Sequence, residues 1–375
     1  MIKRPANSAI LLVFVLFAAC SPASISPTPT ATPVPPTATS TPEPETLEYV
    51  VIGDAFGMNT IPQAYEIVVE QDLGVNANLF RWIKPTTSQR EWMREIRTNT
   101  ELRRAVKNAD VILVAISPKW SDSAEALNLQ GACGGEDNQD CLRETTANAK
   151  RDWIGFANTL ADLREGQPVV LRVVLWGDWV FSANYKDRIT PDQIAVFVSY
   201  FHEYQSIQAS TQGIKTTLAF PEEYSQLPKE YFQADGLHLS DTGSAAVSDL
   251  VRELGYEPAV LEKFVDLTIT FTETSCSVTA QEENISNPIY IRVENPTNGD
   301  NTLAIYALKE GFGTENIMTH GPGLPSFVSI VVGHFLPGTN SSAIYEVTLL
   351  DNLENYLICA QEGIGALAVP LILTP

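Results

Sequence analysis

Between Glu48 and Tyr256 the chain alternates short apolar runs with longer amphipathic stretches, and this alternation narrows the possible folds more than any other feature. Apolar runs occur at Val50 to Ile52, Val111 to Ile116, Val169 to Trp176 and Ile214 to Phe220, with a weaker one near Ala77 to Phe80. Runs that are apolar throughout, rather than at every second residue, fit strands covered on both faces. Helical patterning falls between them, at Ala64 to Leu73, Glu91 to Val106, Arg143 to Leu163 and Ile194 to Ile207. A last helix places Ala246, Val247, Leu250, Val251 and Leu254 on one face and stops at Gly255. Repeated strand and helix units predict a three-layer α/β/α sandwich around a mainly parallel, five-stranded sheet, with functional residues at the carboxyl ends of the strands. Ala55, Ser117 and His238 would all lie on that rim.

After Glu262 the texture changes. Leu267 to Phe271, Ile289 to Val293, Leu303 to Ala307, Phe327 to Val332, Ile344 to Leu349, Tyr356 to Cys359 and Ala366 to Leu373 are short β-rich runs between Asn, Gly and Pro turns. They predict a second, all-β sandwich domain over 262–375, following an α/β domain over 48–258. The run from Tyr345 to Cys359 is similar to the end of a cupredoxin-type domain. No His or Met follows Cys359 closely, and Met318, His320 and His334 are isolated, so a copper site lacks its ligand set. No metal and no cofactor is expected.

The first 47 residues read as targeting and spacing rather than as a domain. Lys3 and Arg4 precede an apolar stretch from Ala9 to Ala19, the layout of a secretory signal over 1–20. Its end, Leu16, Phe17, Ala18, Ala19, Cys20, resembles a bacterial lipoprotein cleavage site, which implies lipidation of Cys20, a membrane anchor, and an exported protein at the cell envelope or extracellular surface. The linker over 21–47 follows. Ser21 to Thr46 holds 8 Pro, 7 Thr and 4 Ser among 26 residues, too few large apolar side chains for a core. As an extended spacer at about 3 Å per residue it reaches up to roughly 80 Å.

Four further cysteines agree with export. Cys133 and Cys141 lie in a Gly/Asp/Asn-rich loop, and Cys276 and Cys359 in the β-rich part. One disulfide per domain is expected; zinc binding would require Cys-x-x-Cys or Cys/His spacing, which neither pair has. The net charge of −21 argues against nucleic acid as a partner, because such a surface repels phosphate backbones.

Two motifs sit at the ends of the α/β region. Gly53, Asp54, Ala55 follows the first strand, and Asp235, Gly236, Leu237, His238 precedes the last helix. A strand running into Gly-Asp-Ser and a terminal Asp-x-x-His resemble the SGNH (GDSL-type) hydrolase family, over about 210 residues from near Glu48 to near Tyr256. The resemblance implies an SGNH/flavodoxin-like fold and carboxylic ester hydrolysis. In that chemistry a serine attacks the carbonyl, the histidine takes its proton, and the aspartate fixes the imidazole tautomer. Asp235 and His238 match the last two roles.

The remaining catalytic positions depart from the family. Ala55 stands where the nucleophilic serine is expected and has no oxygen to deprotonate. The family's oxyanion-hole glycine has no counterpart, since no glycine occurs from Val75 to Gln130, where the second block reads Arg81, Trp82, Ile83, Lys84, Pro85. After the third strand, Ser117, Pro118, Lys119, Trp120 replaces Gly, any residue, Asn, Asp, so Lys119 occupies the asparagine position. Three replacements at separate blocks predict a degenerate hydrolase.

Asp54, Trp82, Ser117 and Trp120 are candidates for a ligand rim; the tryptophans either stack on a ligand or fill the vacated pocket. Lys119 either lines the cleft or pairs with Asp235. Three functions follow from these residues. The first is a lipid-anchored surface protein that binds a small-molecule, ester or glycan ligand without turnover. The second is an ester hydrolase using Asp235 and His238 with an unconventional nucleophile such as Ser117. The third is a structural or adhesive surface protein.

Overall fold

The apolar runs form a five-stranded parallel sheet of β1 (Thr46–Gly53), β2 (Asn76–Ile83), β3 (Val111–Ala115), β4 (Val170–Trp176) and β5 (Lys215–Ala219), in the order β2-β1-β3-β4-β5. This is a doubly wound, flavodoxin-like order. The computed structural model describes residues 45–53, 60–84, 89–116, 122–178, 189–220, 226–236, 238–273, 276–280, 287–298, 301–313, 315–316, 328–335, 337–350, 353, 355–361 and 365–371. These residues share one compact unit. Signal strength followed position: β3 and β4 are buried along their whole length, whereas the edge strand β2 is buried only in part, which is why it gave the weakest apolar run. β1 begins at Thr46, inside the stretch read as linker, because its first residues already pair with Asn76 and Ala77.

The helices are α1 (Ile61–Leu73), α2 (Gln89–Thr98), α3 (Thr100–Asn108), α4 (Asp122–Leu129), α5 (Asp140–Arg164), α6 (Pro191–Ser210) and α7 (Asp241–Arg252). The single helix expected over Glu91 to Val106 is two. Asn99 leaves the helical conformation at φ −82° and ψ 113°, and its side chain accepts the Leu102 N–H at 2.9 Å, ending α2 and capping α3. α1 and α7 pack together on one side of the sheet, while α2 and α3 pack on α5, and α5 on α6, across the other. Asp72 locks the first pair: it accepts from Arg252 Nε at 2.8 Å and from Tyr256 Oη at 2.7 Å. The Tyr256 and Arg252 hydrogen bonds hold its carboxyl below the usual range.

Two buried arginines finish the sheet. Arg164, at the end of α5, donates to the carbonyls of Val106, Lys107, Ala109 and Pro168, satisfying the carboxyl end of α3. Arg172, in β4, donates to the carbonyl of Gly255 just beyond α7, and burial lowers the pKa of its guanidinium. Gly255 is at φ 71°, a left-handed conformation that suits glycine.

The C-terminal part is two four-stranded sheets. One has the order β11-β8-β6-β7, from β6 (Leu267–Phe271), β7 (Cys276–Ala280), β8 (Ile289–Asn295) and β11 (Ser341–Val347). The other is β10-β9-β12-β13, from β9 (Asn301–Leu308), β10 (Val328–Phe335), β12 (Asn355–Gln361) and β13 (Gly365–Leu371). Leu267, Ile269, Phe271, Ile291 and Val293 from the first meet Leu303, Ile305 and Leu357 from the second in one apolar core. β7 was not expected, because Cys276 to Ala280 has no apolar run. Its place follows from pairing with β6, and its Cys276 bonds Cys359 of β12 across the two sheets. Cys133 and Cys141 form the other expected disulfide. Met318 and His320 lie outside the described residues, and His334 is in β10.

The sandwich is joined to the α/β part through buried polar contacts. Arg151 of α5 donates to Asp266 through both terminal nitrogens, at 2.9 and 3.1 Å, with the side chains 6% and 3% exposed. Asp266 also accepts the Tyr290 N–H at 2.7 Å, and Arg151 lies over the Tyr290 ring at 5.9 Å. Asn158 exchanges hydrogen bonds with the backbone of Phe264.

Candidate functional site

The carboxyl edge of the sheet is defined by register. Gly53, the last residue of β1, lies opposite Ile83 of β2 and Ala115 of β3, and Trp176 of β4 lies opposite Ala219 of β5. A tight loop stands just before α7. Phe232 and Leu239 pair antiparallel, Gln233 N–H donates to the His238 carbonyl at 2.8 Å, and Gly236 turns the chain at φ 71°. Ser240 then caps α7, its hydroxyl accepting the Gly243 N–H at 3.2 Å.

Asp235 and His238 come together inside this loop. Asp235 Oδ2 lies 2.5 Å from His238 Nδ1, while its Oδ1 accepts the His238 backbone N–H at 3.0 Å. One carboxylate thus fixes both the main chain and the ring. With Nδ1 protonated toward Asp235, the basic lone pair of the neutral imidazole is on Nε2, the tautomer a general base requires. The side chains are 39% and 48% exposed, so the pair is open to solvent at the rim.

Neighbouring contacts bring the start of α7 beside Thr60, the residue before α1. Thr60, immediately before α1, hydrogen-bonds through its hydroxyl to Ser244 in the first turn of α7. Gly243 lies against Tyr231, where a Cβ would stand 2.1 Å from the Tyr231 carbonyl oxygen. The chain from Gly53 to Thr60 therefore ends against the same helix start that follows His238. Asp54 and Ala55 belong to that connection and lie outside the described residues, as do Ser117, Lys119 and Trp120 after β3 and Cys20 near the amino terminus.

Trp82 is described, one residue below the end of β2. It stacks on Phe80 at 6.1 Å with 7° between the rings, and Lys84 Nζ lies 5.3 Å from its ring centre. It is half-buried against the α/β core. Trp176 closes β4 and is buried at 2% exposure, so it belongs to the sheet core rather than to a rim after the strand. Among the described residues no group of three or more His, Cys, Asp or Glu is placed to hold a metal ion.

A second His–carboxylate pair was not anticipated. Asp178, two residues beyond β4, lies 2.6 Å through Oδ1 from Nε2 of His202 in α6. No sequence signal announces it, since the partners are 24 residues apart. Its helix also shapes the edge. Gln205 of α6 donates to the carbonyl of Trp176 at 2.7 Å, which fixes the helix to the end of β4. The amino-terminal half of α5 runs beside it, with Arg143 and Gln139 bonded to Tyr200.

No family model and no curated protein matches the chain. Solved structures similar to it include a lipase from a goat rumen metagenome, at 19% identity and a TM-score of 0.44, covering 56% of this chain and 98% of that one. An acetyl xylan esterase from Geobacillus stearothermophilus shows 16% identity and a TM-score of 0.34, over 57% of this chain and 96% of its own. A gut microbial diltiazem-metabolizing enzyme shows 12% identity and a TM-score of 0.40, over 72% of this chain and 61% of its own.

Proposed function

We propose that this chain carries an SGNH-hydrolase-like domain that has lost its nucleophile and binds a ligand at the retained rim without turning it over. The observation that carries this reading is the pairing of a competent base with an absent nucleophile. Asp235 holds His238 at 2.5 Å in the tautomer that abstracts a proton, while the residue two beyond β1 is Ala55, which has no proton to give. The absence of the family's glycine and asparagine removes the donors that would stabilise an oxyanion, each worth about 10²–10³ in rate. The aspartate and histidine then serve as hydrogen-bonding groups for a bound small molecule, ester or glycan. Cys20 and the Pro/Thr/Ser-rich segment behind it support a lipid-anchored, exported protein held away from a membrane surface.

Hydrolysis of a chromogenic short-chain ester tests the catalytic half of the proposal. The unmodified protein is expected to give no rate above buffer. A rate that disappears in His238→Ala overturns the reading in favour of an esterase with a displaced nucleophile, the alternative that the intact Asp235–His238 geometry favours. Ala55→Ser restores the hydroxyl alone, and with the oxyanion donors still missing its expected gain is small. Palmitate labelling of the full chain in a bacterial host, lost in Cys20→Ala, tests the anchor.

A further inference from the structure

The geometry points to a second binding site, for a small sugar acid, in a cleft on the outer face of the sandwich sheet that carries β8 and β11, beside the connector residue Lys263. Ile289, Ile291 and Val293 of β8 face the sandwich core, so Tyr290, Arg292 and Glu294 face outward. Tyr290 packs into the α/β core, and burial pushes its hydroxyl up to about 12. Arg292 and Glu294 continue past that contact onto the wall of a cleft of about 540 Å³, which is also lined by Lys263, Ser342, Ala343 and Ile344. The cleft is shallow and open to solvent, and its volume suits a small ligand.

Strand register orders the groups. Ile344 lies opposite Arg292, and Ser342 lies opposite Glu294, so a row with a cation and an apolar side chain is followed by a row with a carboxylate and a hydroxyl. The rows are about 7 Å apart along the strand. Thr270 donates to Glu294 at 3.1 Å and orients it. Lys263 enters from the connector, tethered by Asp162 of α5. Arg292 has no ion-pair or hydrogen-bond partner among the described residues, although the chain carries a net charge of −21. A planar guanidinium at a cleft wall matches a carboxylate through two parallel hydrogen bonds.

The neighbours of Arg292 choose among anions. Glu294, one row away, repels a dianion such as phosphate, and the acidity of the whole chain repels a polyanion. A ligand with a single carboxylate meets the weaker repulsion on both counts. Glu294 and Ser342 accept and exchange hydrogen bonds with hydroxyl groups, and Ile344 offers an apolar contact to a sugar's C–H face. Carboxylate, hydroxyls and an apolar face occur together in a uronic acid.

Isothermal titration of the full chain tests this, with a glucuronate-terminated disaccharide as probe and its glucose-terminated counterpart, sulfate and glycylglycine as comparisons. Binding of the uronate alone is expected, weakened at least tenfold in Arg292→Met with the unfolding midpoint unchanged, and unaltered in His238→Ala. If Arg292→Met does not fold, Arg292→Lys keeps the charge without the fork and is expected to weaken binding severalfold. No uronate binding, equal binding of any comparison compound, or full affinity in the folded Arg292 variant overturns the proposal. Loss of binding in His238→Ala would also overturn it, by moving the ligand to the Asp235–His238 rim.

Discussion

Replacing Arg151 by methionine removes a charge from one of the most enclosed polar contacts in the molecule. Its guanidinium makes two hydrogen bonds to Asp266, and the pair is 6% and 3% exposed. In Arg151→Met, the Asp266 carboxylate keeps the Tyr290 N–H at 2.7 Å and loses its charge partner in a site with little access to water. Leaving one member of a buried ion pair uncompensated costs about 3–5 kcal/mol. Combining Arg151→Met with Asp266→Asn removes both charges while an amide oxygen still accepts the Tyr290 N–H. The double variant is therefore expected to recover about 2 kcal/mol or more relative to Arg151→Met, a non-additivity typical of contacting residues. All six tryptophans lie between Trp82 and Trp179, so fluorescence reports the α/β part, while far-ultraviolet circular dichroism also reports the sandwich. Urea transitions followed by the two signals should coincide in the unmodified protein and separate in Arg151→Met, with the sandwich released at lower denaturant. A loss below about 1 kcal/mol, or additive effects in the double variant, would refute the assignment of this pair as the joint between the two parts.

Three further outcomes follow from local geometry. Gly243→Ala puts a methyl carbon 2.1 Å from the Tyr231 carbonyl oxygen, so the start of α7 must shift; a loss of about 1–3 kcal/mol or more is expected in thermal unfolding, together with weaker hydrogen-exchange protection of the His238 loop. Asp72 has a native pKa below that of an unfolded aspartate near 3.9, so its contribution is complete above that value and is lost as pH falls through the native pKa. The gap in thermal midpoint between the unmodified protein and Asp72→Asn should therefore be full at pH 6 and close as the solution is acidified below about 4. Opening Cys133–Cys141, a loop with a sequence separation of 8, should cost about 2.5 kcal/mol by chain entropy, read as a lower urea midpoint in Cys133→Ser/Cys141→Ser.

Legibility in the sequence tracked burial and locality. β3 and β4 were found where continuous apolar runs meet complete burial, and Leu267 to Phe271 was read to its ends because its residues alternate between core and solvent. Asp235 and His238 were legible as a pair because three residues separate them and a single loop brings them together. The split at Asn99 was missed because α2 and α3 both bury one apolar stripe, and the break between them depends on one side chain folding back on its own backbone. β7 was missed because a short strand with a polar sequence is stabilised by its partner β6 and by a disulfide to the other sheet. Trp82 was a candidate for an aromatic rim, and the structure stacks it along an edge strand, whereas Trp176 is enclosed in the sheet core.

The sequence by itself determined the alternation that builds the parallel sheet, the β-rich character of the last third and the Asp235–His238 pair. Each is written in neighbouring residues or in a period of two or 3.6, so no distant contact is needed to read it. Tertiary structure decided which distant residues share a place. It joined Asp178 to His202, set Arg151 on Asp266, and left Arg292 facing a cleft on the outer face of the sandwich. The energy of such contacts depends on the water excluded around them, and that exclusion exists only once the sheet, its helices and the sandwich have closed on one another.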